Sequence, residues 1–166
     1  MQRKDKALEL FGQHFNCSQA VFTAYRKADV LDEESALKLS TVFGAGVACS
    51  GSELCGAVSG ALLAISMHHG RGDIKSYEAK IKTYELANRF MADFKSKMGS
   101  CTCESILGLN IGIPANLERA KEMKLFETRC LDSVRVASDI LAGLAWEPTR
   151  FDIVQSGIIF MPSSTH

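Results

Sequence analysis

The sequence carries no excess of charge of either sign, with Lys+Arg and Asp+Glu equal at 19 each. It also has no run of five or six basic residues, so the long-range positive field that holds nucleic acid is missing and no nucleic-acid partner is expected. Long apolar runs are absent too. The most apolar stretch, Ala61 to Met67, falls far short of the ~20 residues that cross a bilayer. Met1-Gln2-Arg3-Lys4-Asp5-Lys6 leads into no signal-type apolar core. No membrane span and a cytoplasmic location are therefore expected. No close C-x-x-C pair of the zinc-finger kind occurs, there is no Walker lysine and no G-x-G-x-x-G after a strand, and no repeat, low-complexity tract or linker divides the chain.

What is present suits one ordinary domain. At 166 residues, with 46% hydrophobic and 23% charged, the chain can bury roughly 70% of its unfolded surface without a staple. Helical spacing recurs throughout, so the expected fold is all-α: a single-domain bundle of about five to seven helices over 1–147, with a short C-terminal extension over 148–166. Leu8, Phe11 and Phe15 mark a helix from about Lys4 to Phe15. Asn16 and Gln19 resemble a capping box opening a second helix toward Ala28. Asp32-Glu33-Glu34 opens a third through Val42, ended by Gly44 and Gly46. Ser52 and Glu53 start an apolar helix reaching His69. A long helix runs from Tyr77 through Phe94 to Gly99, a helical turn lies within Ser100 to Leu107, and Pro114 opens a further segment. Thr128 would cap the helix Cys130 to Leu144. Beyond Pro148 the β-like composition of Phe151 to Phe160 suggests a docked tail or partner-binding strand, and with it a possible homodimer.

Six cysteines are present, and in a reducing cytoplasm they point to metal binding, catalysis or redox exchange rather than structural disulfides. Cys17, Cys55 and Cys130 each fall near the start of a helix, and Cys103 in a short helical turn. Free N–H groups and the helix dipole there favour thiolate, the form that attacks disulfides and binds metals. Their separations of 38, 48 and 27 residues mean that only the tertiary fold could assemble a common site. Small buried hydrophobes are the plainer alternative. Cys101 and Cys103 form a C-x-C pair able to share a metal or a strained disulfide, and Cys49 with Cys55 could form a loop-to-helix disulfide. Gly56 and Gly60, one turn apart, invite close approach of another helix or of a cofactor. His68 and His69 suit the dipole at a helix end, and one could reach a metal.

Cys55-Gly56-Ala57-Val58-Ser59-Gly60 has the form C-G-A-x-x-G. With Phe15-Asn16-Cys17-Ser18-Gln19-Ala20-Val21, Cys103-Glu104-Ser105-Ile106-Leu107-Gly108 and Cys130, the chain resembles the C_GCAxxG_C_C family from roughly Lys6 to Leu144. Gly44-Ala45-Gly46 departs by one alanine from that family's glycine-rich run. The resemblance implies a redox-active protein with four characteristic cysteines, here Cys17, Cys55, Cys103 and Cys130, and leaves Cys49 and Cys101 outside the pattern. The family is related to the helical domain of split-Soret cytochromes, but this chain has no C-x-x-C-H sequence, so covalent haem is not expected.

Three functions remain open. In the first, the four cysteines bind a metal centre, iron–sulfur or a thiolate zinc or iron site, for electron transfer or redox sensing with an unknown redox partner, and Gly56 and Gly60 make room for it. In the second they work without metal as thiol–disulfide pairs such as Cys17/Cys55 and Cys103/Cys130. The third is a helical interaction module without redox chemistry.

Overall fold

The computed structural model describes residues 2–144. The tail expected from Pro148 onward, including Phe151 to Phe160, lies outside the described residues. Those described form an all-α domain of eight helices: α1 (Arg3–Gly12), α2 (Cys17–Tyr25), α3 (Glu33–Ser40), α4 (Gly56–His69), α5 (Tyr77–Met98), α6 (Cys103–Leu107), α7 (Pro114–Glu122) and α8 (Leu131–Gly143). A 3₁₀ turn at Thr41–Phe43 follows α3, and a π turn at Phe126–Cys130 leads into α8.

Several ends follow from local chemistry. The Asn16 side chain accepts from the Ser18 and Gln19 N–H groups, both at 3.0 Å, while the Gln19 side chain accepts from the Asn16 N–H at 3.1 Å, completing the expected capping box. Asp32 accepts from the Ser35 N–H at 2.8 Å. α5 stops where Gly99 takes a left-handed φ of 82°. Other ends differ from the sequence expectation. α1 stops at Gly12 instead of Phe15, because His14 turns to φ 70° and the Phe15 N–H bonds back to the Leu10 carbonyl. α4 starts at Gly56, not Ser52, because Leu54 forms an antiparallel bridge with Thr102 before the helix can begin.

The centre of the bundle is α2. All its residues except Gln19 are buried, the mark of a helix surrounded on every side. It packs on α1, α3, α4 and α8, with α5 closing over α4 and α8. The Tyr25 hydroxyl donates to the Ser138 carbonyl at 2.8 Å, tying α2 to α8.

The α2–α4 contact depends on glycine. A Cβ on Gly60 would stand 2.7 Å from the Ser18 carbonyl oxygen and 3.2 Å from the Phe22 nitrogen. One on Gly56 would stand 3.0 Å from both the Cys17 Cβ and the Ser18 nitrogen. Gly56 thus meets the start of α2 and Gly60 meets residues one turn further on, so the two helices run in the same direction with their N-termini together. The close-approach reading of these glycines holds, and the approaching body is helix backbone. Gly60→Ala is expected to destabilise the domain by about 1–3 kcal/mol, because backbone has to move. Gly143→Ala, whose Cβ meets nothing within 4 Å, should stay within about 0.5 kcal/mol of the parent. Urea denaturation of the two variants measures both.

Candidate functional site

Four loops and helix starts surround one cavity of about 520 Å³, and Cys17, Cys55, Cys103 and Cys130 all line it. The parallel approach of α2 and α4 places Cys17, the first residue of α2, beside Cys55, the residue that precedes α4. Cys103 is brought to them by strand-like pairing. The Cys55 N–H donates to the Cys101 carbonyl at 2.8 Å and the Cys103 N–H to the Glu53 carbonyl at 2.9 Å, which locks the start of α6 to the start of α4. Cys130 arrives from the π turn that enters α8.

All four are buried, none more than 8% exposed. Phe11, Phe15, Ile106, Leu107, Ile111, Phe126 and Leu131 supply most of the apolar wall, with Ala45 and Gly56. Among the described residues no lysine or arginine lines it, and the only titratable side chains besides the cysteines are His14 and Glu127. Such surroundings disfavour thiolate. Burial, with Ala57 and Val58 N–H groups and the Ser133 hydroxyl pulling the other way, pushes the Cys55 thiol up to about 11. Burial, followed by repulsion from Cys55 and Cys130, pushes Cys103 up to about 12.

Cys130 is the exception. The interaction between the Cys17 and Cys130 thiols is the largest influence on each, raising Cys17 well above the ordinary value and lowering Cys130 despite its burial. The reason for the lowered value differs from the one the sequence suggested. Cys130 does not head a helix: its N–H already bonds the Leu125 carbonyl at 3.1 Å, and the Thr128 hydroxyl bonds back to the Lys124 carbonyl instead of capping. The helical path starts earlier, after Lys124 at φ 52°.

The remaining candidates separate from this group. Cys101 is half-buried, does not line the cavity and donates its thiol to the Met91 carbonyl at 3.5 Å, so the C-x-C pair is split. Cys49 is exposed and does not line the cavity, although a thiolate there would repel one on Cys103. Cys49 and Cys55, which could have formed a loop-to-helix disulfide, are both free. Gly60 faces α2 rather than the cavity, whereas Gly56 lines it. His68 donates a ring N–H to the Tyr25 carbonyl at 2.8 Å, and burial lowers its pKa, which is opposite to the cationic role expected at a helix end.

Beside Ala45 lies an unusual loop. Ala45, Gly46, Val47, Ala48 and Cys49 have φ of 54°, 71°, 61°, 53° and 60°, a left-handed turn that costs roughly 1–2 kcal/mol at each non-glycine position. Bonds from the Ala48 N–H to the Val42 carbonyl at 2.7 Å and from the Gly51 N–H to the Ala45 carbonyl at 3.1 Å hold it, with the Ser50 hydroxyl donating to the Gly46 carbonyl. Sequence reasoning missed this turn because only one of the five residues is glycine. It also missed the aromatic wall, although Phe15 and Phe126 stand within one turn ahead of Cys17 and Cys130.

Four cysteines gathered from separate segments onto one apolar cavity form the candidate site of this all-α domain. Residues 15–144 match a family model, C_GCAxxG_C_C, described as "Putative redox-active protein"; the chain belongs to this family. No curated protein and no solved structure gives a significant match. Among the described residues no helix is long and apolar enough to cross a membrane.

The raised thiols have a consequence for stability. Unfolded cysteines ionise near 9 while Cys55 and Cys103 keep their protons to about 11 and about 12. In that window the unfolded chain binds fewer protons, so stability falls as pH rises. The thermal midpoint should decline from pH 9 to 11, and Cys103→Ala should flatten the decline; a midpoint independent of pH in both proteins would contradict the buried-thiol assignment.

Proposed function

We propose that the protein is a thiol–disulfide redox protein whose reacting couple is Cys17 and Cys130. The observation that carries this is that Cys17 and Cys130 line one cavity, where each is the strongest influence on the other's thiol. A nucleophilic thiol needs thiolate character, and Cys130 is the cavity cysteine whose pKa is lowered. Cys17 is then the thiol that closes the disulfide. On oxidation a Cys17–Cys130 S–S bond forms, and two electrons and two protons leave for an acceptor. Cys55 and Cys103, held as neutral thiols, keep the second wall of the cavity uncharged and able to follow as a second couple. This pairing differs from Cys17/Cys55 and Cys103/Cys130.

A second reading is favoured by the convergence of all four sulfurs: an iron–sulfur centre ligated by Cys17, Cys55, Cys103 and Cys130. Bound metal deprotonates a coordinating thiol outright, which would overcome the high values at Cys55 and Cys103, and the centre would supply one-electron transfer. Among the described residues no three His, Cys, Asp or Glu side chains are grouped so as to hold a single metal ion. A lone zinc or iron ion therefore fits this arrangement less well than a multi-atom cluster, which spreads its ligands.

One preparation separates the two. Protein purified without oxygen is assayed for iron, zinc and labile sulfide, then oxidised with diamide and mapped by peptide mass spectrometry. Metal-free protein that loses two thiols into a Cys17–Cys130 disulfide, with Cys130→Ser abolishing that bond, is the expected result. Stoichiometric iron and sulfide lost on replacing Cys55 would establish the cluster instead.

A further inference from the structure

We propose that the cavity beside Cys17 and Cys130 binds a neutral, planar quinone-type molecule, which is the acceptor of the couple's electrons. This deepens the dithiol reading and rests on it.

The cavity itself makes the selection. About 520 Å³ lies within the range of small-molecule pockets, which are mainly apolar with a few placed polar groups. Three phenylalanine rings, Phe11, Phe15 and Phe126, line it, and aromatic faces are suited to stacking on a flat ring. Among the described residues no lysine or arginine is there to meet an anion, so phosphorylated carriers such as nicotinamide or flavin nucleotides would be desolvated without a counter-charge. A protein disulfide is disfavoured for a different reason. Cys17 and Cys130 are each only 8% exposed, out of reach of a folded partner's bond but open to a molecule that enters the cavity. Exchange also has to pass two electrons at once, and a quinone accepts two electrons and two protons without leaving a charge in an apolar site. His14, in its left-handed turn at φ 70°, lines the same cavity and offers a ring N–H to a carbonyl oxygen.

The reaction balances within these groups. The Cys130 sulfur attacks the quinone ring and the Cys17 sulfur then attacks Cys130, forming the S–S bond. The electron pair of the broken C–S bond stays with the ring. Two protons satisfy the two carbonyl oxygens and leave hydroquinone: one from the Cys17 thiol, and one from the Cys130 thiol or, where Cys130 starts as thiolate, from solvent.

The test uses the full reduced chain under argon with duroquinone, whose fully methylated ring has no hydrogen to lose and so cannot keep the Cys130 adduct as a stable thioether. Binding is read by equilibrium dialysis against the Cys130→Ser variant, which cannot turn over, and reaction is read as duroquinol formed against thiols lost. Saturable binding to Cys130→Ser, with one quinol per two thiols lost in the parent, is expected. Phe126→Ala should weaken binding and Phe126→Arg should weaken it by about tenfold or more, since a buried cation replaces apolar wall. No saturable binding, or equal binding by both Phe126 variants and the parent, would overturn the quinone site even if diamide still forms the Cys17–Cys130 disulfide. Binding without quinol formation, together with absence of that disulfide, would instead locate the failure in the dithiol reading.

Discussion

The contact between α2 and α4 is the constraint on which the rest depends. Two helices that run in the same direction reach backbone distance only because Gly56 and Gly60 carry no Cβ. Their N-termini then lie together, and the residues at those ends are cysteines. Glycine within a helix weakens it by about 1 kcal/mol relative to alanine. Here that cost is offset by the burial of α2 on every face and by the capping box at its start. Without the close approach, Cys17 and Cys55 would belong to different surfaces.

Around that contact the fold builds an environment that opposes ionisation. Burial keeps Cys55 and Cys103 as thiols, and the cavity wall offers no cation to relieve them. The mutual influence of Cys17 and Cys130 breaks the uniformity, raising one thiol and lowering the other. Four residues of one chemical type thus differ in reactivity because of geometry alone. The left-handed turn from Ala45 to Cys49 belongs to the same picture. Its strain is sustained by hydrogen bonds on both sides, and strained backbone of this kind gathers next to working sites.

Much of the helical framework was legible along the chain. Asn16 and Gln19 announced their box, the apolar spacing of Ile81, Phe90 and Phe94 matched α5, and Gly99 ended it, because caps and amphipathic faces are local properties. The errors were non-local. Ser52 and Glu53 read as a helix start, yet Leu54 pairs with Thr102 across the fold. Thr128 read as a cap, but the π turn lets the helix begin earlier and pass through Cys130. His68 read as a cation, while burial beside the Tyr25 carbonyl makes it a neutral donor.

The sequence by itself determined the all-α class, the helix order, the four cysteines of the family pattern and the need for close packing at Gly56 and Gly60. These follow from periodicity, capping and residue size, which act over a few neighbours. Only the tertiary structure decided that the four cysteines share a cavity, that Cys17 and Cys130 influence each other most strongly there, and that Cys49 and Cys101 lie outside its lining. Contacts between residues 113 positions apart, such as Tyr25 and Ser138, set the distance between α2 and α8. Thiol pairing depends on that distance, and nothing in local spacing encodes it.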